Sequence, residues 1–404
     1  MVPVIVLMVL THSAYGATRL ALSLTALAWH LPTVVIGIVL SQISIVPMVV
    51  SIWVGRWLDR VGTYKPLLIG AVGLLVGVAL PRLWPTSTAL FLSSALMGTS
   101  FLLCHMSGQQ MTGLIADGPQ RAKHFGWLAV GFSVSGFVGP MLAGYVIDYV
   151  GHLDAFVAAA ILVVIAITLI LGLKARLTYK TPNIQSPVVS NENAVGGGLS
   201  LTGIGLLRDP SLARLYLCVV LISSAWDTHQ FLVPIHATKE GLSASQIGLV
   251  MGSFAVARLI VRLLLPRFVG KLSHWQLLAI VLFIAAFSFA VYPLLPGALG
   301  MMAVSFILGL GLGCGQPIVM ASLYETAPKG QVGEAAGLRQ SLINATQTIL
   351  PILFGSAGTL LAGLTAITGL VVTGSIFAPL FWLFSVTALA GGISTWRFAK
   401  RAAA

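Results

Sequence analysis

The chain has 404 residues, 57% of them hydrophobic and only 8% charged, with a mean hydropathy of +0.99. A soluble protein of this length carries about a quarter charged residues, so a large soluble core is excluded and a polytopic membrane protein is expected. The net charge of +12 would suggest a nucleic-acid partner in a soluble protein; here the excess of Lys and Arg in the loops of one membrane face accounts for it, and no nucleic-acid partner is expected.

Breaks in hydrophobicity fall at Pro, Gly or charge. They separate about twelve segments: residues 2–26, 33–54, 66–83, 87–115, 124–148, 153–173, 211–234, 243–265, 274–293, 297–323, 335–361 and 371–396. Each is about long enough to cross a bilayer as a helix. Their continuous apolarity, without alternation, excludes barrel strands. No basic region precedes the first apolar run, so no cleaved signal peptide is expected and the chain is expected to start directly in span one. Between Lys174 and Arg208 the composition shifts to Pro182, Pro187, Asn191, Asn193 and Gly196 to Gly198, a flexible linker. The fold class expected is an all-α membrane protein with twelve transmembrane helices in two pseudo-symmetric six-helix bundles. The bundles occupy 1–173 and 211–404, and the linker 174–210.

Alternate loops and the C-terminus hold most of the basic residues, among them Lys174, Arg176, Arg208, Arg267, Lys271 and Arg401, whereas the opposite loops offer only Arg82 and Lys239. That asymmetry places both termini and the linker in the cytoplasm. Trp29 and Trp84 fall at outer boundaries, and Trp53, Trp57, Trp275 and Trp396 at inner ones, as an aromatic belt does. Cys104, Cys218 and Cys314 lie in apolar runs. Their odd number and positions make no disulfide framework and no metal site, and they read as small packing residues.

The halves align on one offset. Gly37 and Gly248 stand 211 residues apart, as do Leu31 and Leu242, Arg56 and Arg267, Gly98 and Gly309, Gly126 and Gly337, Pro140 and Pro351, and Gly144 and Gly355. One such pair is weak evidence, but a single gapless offset is hard to obtain by chance. An even number of spans per repeat gives parallel halves related by an axis along the membrane normal. A central cavity lined by equivalent helices follows.

Residues 55–65 join spans two and three as a short basic segment, with Gly55, Asp59, Arg60, Gly62 and Lys65 at the spacing G-x-x-x-D-R-x-G-x-x-K. The pattern resembles the loop signature of the major facilitator superfamily. Span five carries Gly126, Ser135, Gly139, Pro140 and Gly144, similar to the superfamily's antiporter motif, with Ser135 and Ala143 replacing two glycines. The resemblance implies a drug/proton antiporter-like secondary transporter, exporting by proton exchange. It also implies a cytoplasmic gate formed by the 55–65 segment with its counterpart at Arg267 and Lys271. The superfamily's arginine in span four is absent; counting back from Gly98 puts Ser94 there.

Ionisable groups inside spans are costly and point to function. Arg19 lies in span one, and Asp227 and His229 in span seven. The offset sets Asp227 opposite Gly16 and His229 opposite Thr18, at a depth similar to Arg19. An Arg19–Asp227 ion pair, with His229, that opens when Asp227 takes a proton is one reading; a fixed outer gate or structural pair is the other. Arg258 in span eight binds an anionic substrate or snorkels to the interface with Arg262. The cavity candidates are Gln42, His105, Gln109, Trp226, Arg258, Gln316, Gln340, Asn344 and Gln347. Of these, Gln340, Asn344 and Gln347 share one helical face, and interhelical hydrogen bonding is the alternative for each single residue. The Gly309, Gly311, Gly313 and Gly315 run reads as close packing or a hinge, with no phosphate loop. No nucleophile–base set, metal cluster or cofactor is expected, so an enzyme is the least favoured class.

The reading is a proton-coupled exporter of a small organic molecule, possible anionic or zwitterionic solutes included. It is expected in a bacterial inner membrane, as a monomer with substrate, protons and lipid as its partners. The alternatives are an uptake symporter for an organic anion and a non-transporting receptor or scaffold on the same fold.

Overall fold

The computed structural model describes residues 1–115, 119–177, 206–264, 272–327, 332–368 and 377–403. Within them run twelve long helices: α1 (Val2–Ala28), α2 (Thr33–Val61), α3 (Tyr64–Leu83), α4 (Ser87–Leu114), α5 (Pro119–Tyr149), α6 (Asp154–Gly172), α7 (Pro210–Lys239), α8 (Ala244–Leu264), α9 (His274–Val291), α10 (Ala298–Thr326), α11 (Val332–Thr368) and α12 (Ala378–Ala403). Ten of the described helices are long and apolar enough to cross a membrane; α7 and α11 are not among them. These two carry the Asp227/His229 pair and the three-amide stripe, and their polarity lowers their hydropathy. Several helices outrun the expected spans, because hydropathy marks the hydrocarbon crossing while the backbone hydrogen-bond ladder carries on into the interfacial layer. Of the linker, the described part is a helical turn at Lys174–Leu177 and a 3-10 turn at Leu206–Arg208.

The 55–65 segment is not the loop expected. Helix α2 continues to Val61 and α3 starts at Tyr64, so the reversal is confined to Gly62 and Thr63. Gly62 adopts φ +78° and donates its N–H to the Leu58 carbonyl, a glycine helix end in the left-handed region. One such residue ends the helix, so Gly55 need not break it.

The chain divides into two compact units. The first comprises Met1–Leu31, Gln42–Gly197 and Ser243–Gly252; the second comprises Pro32–Ser41, Gly198–Leu242 and Ser253–Ala404. Each unit thus takes in a short piece of chain that the six-and-six division assigned to the other half. The first core gathers Leu7, Met8, Leu67, Ala71, Cys104 and Met111. The second gathers Leu215, Tyr216, Leu278, Leu282, Ile318 and Leu323.

The 211-residue offset reappears as matched close approaches. In the first unit a Cβ at Gly98 would collide with the Ile43 carbonyl, and in the second a Cβ at Gly309 with the Phe254 carbonyl. Gly248 lies against the Pro140 carbonyl in the first unit, and Gly37 against the Pro351 carbonyl in the second. Likewise Gly144 meets the Ala244 carbonyl, and Gly355 the Thr33 carbonyl. Every residue in these pairs has its equivalent 211 positions away. Small residues are what let two helix backbones come this close.

The same corners are closed by hydrogen bonds of different chemistry. Asp148, near the end of α5, accepts from the N–H groups of Ala244 at 2.8 Å and Ser245 at 2.7 Å. It caps α8 from another helix, where orphan donors and the helix dipole favour a carboxylate. Thr359, at the equivalent position on α11, accepts from Val34 N–H at 3.1 Å and bonds the Thr33 hydroxyl at 2.9 Å.

Candidate functional site

The polar centre of the first unit is built on α1 and α4. His12 lies 2.9 Å, nitrogen to nitrogen, from His105, which lies 2.9 Å from the Gln109 amide. The other His12 nitrogen is 2.8 Å from the Met8 carbonyl. One assignment satisfies the whole set with both rings neutral. His12 Nδ1–H donates to Met8, His12 Nε2 accepts from His105 Nδ1–H, and His105 Nε2 accepts from Gln109. The chain runs from the core of α1 to an exposed amide. Phe101, Phe132 and Tyr15 pack around it, with His12 stacked on Phe132 at 4.4 Å and Tyr15 on Phe101 at 3.8 Å between centroids. Chemically it is a pair of linked proton acceptors in a mostly apolar wall.

His12 was missed by sequence reasoning. The signal was present: His12, Tyr15 and Arg19 stand at i, i+3 and i+7 on α1, one helical face. Arg19 itself is half-buried, and its Nε has no hydrogen-bond partner among the described residues. Gln42 also finds a role that spacing did not reveal, since its Oε1 accepts from the Ser94 hydroxyl at 3.0 Å. The residue standing where the superfamily has arginine thus anchors an α2 amide.

The antiporter-like motif on α5 is partly a packing device. A Cβ at Gly139 would come within 2.6 Å of the Ser13 carbonyl on α1. Pro140 and Gly144 face the first turns of α8, as described above. Ser135 is buried and donates to the Phe132 carbonyl at 3.0 Å. Gly126 differs: a Cβ there would meet nothing within 4 Å, so it makes no close approach.

The second unit carries charge. Asp227, His229 and Thr228 on α7 are all buried, Asp227 at 1% exposure. His229 Nε2 lies 3.0 Å from the Ser305 hydroxyl, which bonds Tyr292, whose hydroxyl reaches the Met301 carbonyl at 3.4 Å. All donors are satisfied when the bonds run one way, from His229 Nε2–H to Ser305, then Tyr292, then Met301. That leaves the buried His229 Nδ1 as a bare acceptor, with no hydrogen-bond partner among the described residues. Neither Ser305 nor Tyr292 stood out in the sequence, because single hydroxyls in apolar runs are common.

Arg258 lies 4.4 Å from the centre of the Trp226 ring and 5.1 Å from that of Phe254. It is 9% exposed, so it is buried against aromatic faces. Phe254 in turn stacks on His229 at 4.3 Å. On α11 the amide stripe bonds to itself, Gln340 Nε2 donating to Asn344 at 3.0 Å. Gln340 is exposed, while Asn344 and Gln347 are half-buried. Gln316 on α10 is exposed.

Of the expected cytoplasmic gate, Arg60 and Lys65 are exposed and Gly55 is half-buried. The Asp59 side chain, and Arg267 and Lys271 altogether, lie outside the described residues. Arg19 and Asp227, expected as an ion pair, lie in different units.

Twelve long helices, ten of them apolar enough to span, and titratable groups sunk inside both units define a multi-pass membrane protein with polar interior chemistry. The sequence matches the profile of the Major Facilitator Superfamily over residues 4–351, and the chain belongs to that family of membrane transporters. It is 22% identical over 332 residues to multidrug resistance protein 2 of Bacillus subtilis, covering 81% of this chain and 80% of the relative. It is 24% identical over 335 residues to the class B tetracycline resistance protein of Escherichia coli, covering 79% and 77%. The solved structure of a peptide transporter POT in complex with sulfate matches with a TM-score of 0.75 over 99% of this chain and 94% of that one, at 16% identity; this likeness speaks for the fold alone.

Proposed function

We propose that the chain is a proton-coupled exporter of a small organic molecule, working by the alternating access of its superfamily. The observation that carries the coupling is Asp227, the one buried carboxylate among the described residues. A carboxylate kept out of water inside a membrane protein is retained for function more often than for stability. There it takes a proton and releases it as its surroundings change. Export, not uptake, is supported by the relatives named for drug and tetracycline resistance. The lysine and arginine distribution supports cytoplasmic termini and a cytoplasmic linker, the bacterial relatives support an inner membrane, and the presence of both repeats in a single chain supports a monomer as the working unit.

The test is flux in proteoliposomes with an imposed pH gradient, over a panel of metabolites and drugs. Asp227→Asn is expected to abolish gradient-driven accumulation while sparing downhill exchange. Unchanged gradient-driven transport in that variant removes Asp227 from coupling. A double-mutant cycle on Arg19 and Asp227 measures whether the two act together. Accumulation in right-side-out but not inverted vesicles supports the organic-anion symporter instead, and absence of flux under every gradient supports a receptor or scaffold.

A further inference from the structure

The Arg258 guanidinium is buried and carries no salt bridge to any carboxylate among the described residues. The described ion pairs are Arg82–Asp154, His236–Glu240 and His274–Glu325, and the buried Arg258 Nε has no hydrogen-bond partner among the described residues. The groups that meet the guanidinium are two rings, Trp226 on α7 and Phe254 on α8 itself. The stem of Arg258 is fixed from the far side, since a Cβ on Gly313 of α10 would come 3.0 Å from the Arg258 Cα.

A buried cation without an anion is among the costlier groups in a protein. Two aromatic faces offset only part of that cost. The rings take the faces of the guanidinium, whereas its N–H donors lie along the planar edge, a fork whose shape suits two oxygens of one group. The half-buried Trp226 ring supplies an apolar wall beside the fork. A buried guanidinium and an aromatic wall together call for a ligand that is anionic at one end and apolar at the other.

We infer that Arg258 anchors the carboxylate of the transported molecule and that Trp226 lies against its body, so that the substrate class is a small organic acid. This rests on the transport reading above and narrows it.

The experiment is equilibrium binding to the purified full-length chain in detergent, with no gradient present, by calorimetry. The probes are benzoate and phenylacetate, their neutral counterpart benzamide and the cationic benzylamine. Wild type is expected to bind the carboxylates saturably and to bind benzamide and benzylamine far more weakly. Arg258→Gln is expected to weaken carboxylate binding about tenfold to a hundredfold, the effect of losing a charged hydrogen-bond partner. Arg258→Lys keeps the charge but loses the fork and the stacking, and is expected to fall in between; it decides the matter if the Gln variant does not fold. Carboxylate binding unchanged in both variants, benzylamine bound in preference to benzoate, or no saturable carboxylate binding by wild type each overturns the assignment. Arg258-dependent binding without flux leaves the anchor standing and removes the exporter, whereas proton-driven flux without such binding does the reverse.

Discussion

In the first unit the polar centre is a hydrogen-bonded pair of half-buried imidazoles, His12 and His105. In the second it is a carboxylate, Asp227, and two arginines, Arg258 and Arg339, each 9% exposed. The scaffold beneath is nonetheless the same, down to which glycine faces which carbonyl. Duplication has held the backbone contacts, where a single Cβ would collide, and released the side chains that face inward. Close packing tolerates little change, whereas a polar side chain is free to change wherever a new partner satisfies it. Ser94 and Ser305 show this: they are equivalent by the offset, yet one anchors Gln42 and the other links His229 to Tyr292.

The largest effects are expected at the shared backbone contacts. Gly37→Val and Gly248→Val each drive a branched side chain into a carbonyl of a packed helix, an overpacking of about 1–3 kcal/mol. Thermal unfolding in detergent should show similar losses for both. A strong loss at one and none at the other breaks the equivalence. Gly126→Ala, with open space around it, should be neutral. Next come the two corner caps. Asp148→Asn, at a carboxylate accepting two backbone donors, is expected to cost about 1 kcal/mol, and Thr359→Val about half that. Equal losses would mean that the charge on Asp148 adds nothing to the corner.

The smallest effect concerns pH. His152, in the turn after α5, is held below the usual value of 6.5 by burial, with Asp148 pulling the other way. Below 6.5 the unfolded chain takes up a proton that the folded chain resists, so stability falls as pH drops through that value. The effect is shallow, because the ring is half-exposed. His152→Gln should remove that slope from a pH series of melting temperatures. The equivalent position in the second unit is Gly363, so no matching slope arises there.

Most of the fold was legible because lipid leaves a chain few options: continuous apolar runs must be helices, and the 211-residue offset shows in glycines that cannot be replaced. The 55–65 segment was misplaced because charge marks where a helix leaves the hydrocarbon, not where it ends. The site was half legible. Asp227, His229 and Arg258 stood out as ionisable groups in apolar runs. His12 did not, because its partner lies 93 residues away on another helix. The Tyr292–Ser305 link escaped because single hydroxyls in apolar runs are common, and Gly126 looked like a contact glycine only through its motif.

The polarity of α7 bears on how the protein is made. A segment with Asp227, His229 and His236 along it gains little by partitioning alone from the translocon into lipid, since an aspartate near the middle of a helix opposes insertion by about 2.5–3.5 kcal/mol. It follows that α7 is best stabilised in the bilayer together with its more apolar neighbours, so the second half assembles as a cooperative group during synthesis, whereas each of the six helices of the first half is apolar enough to cross by itself and can insert one at a time.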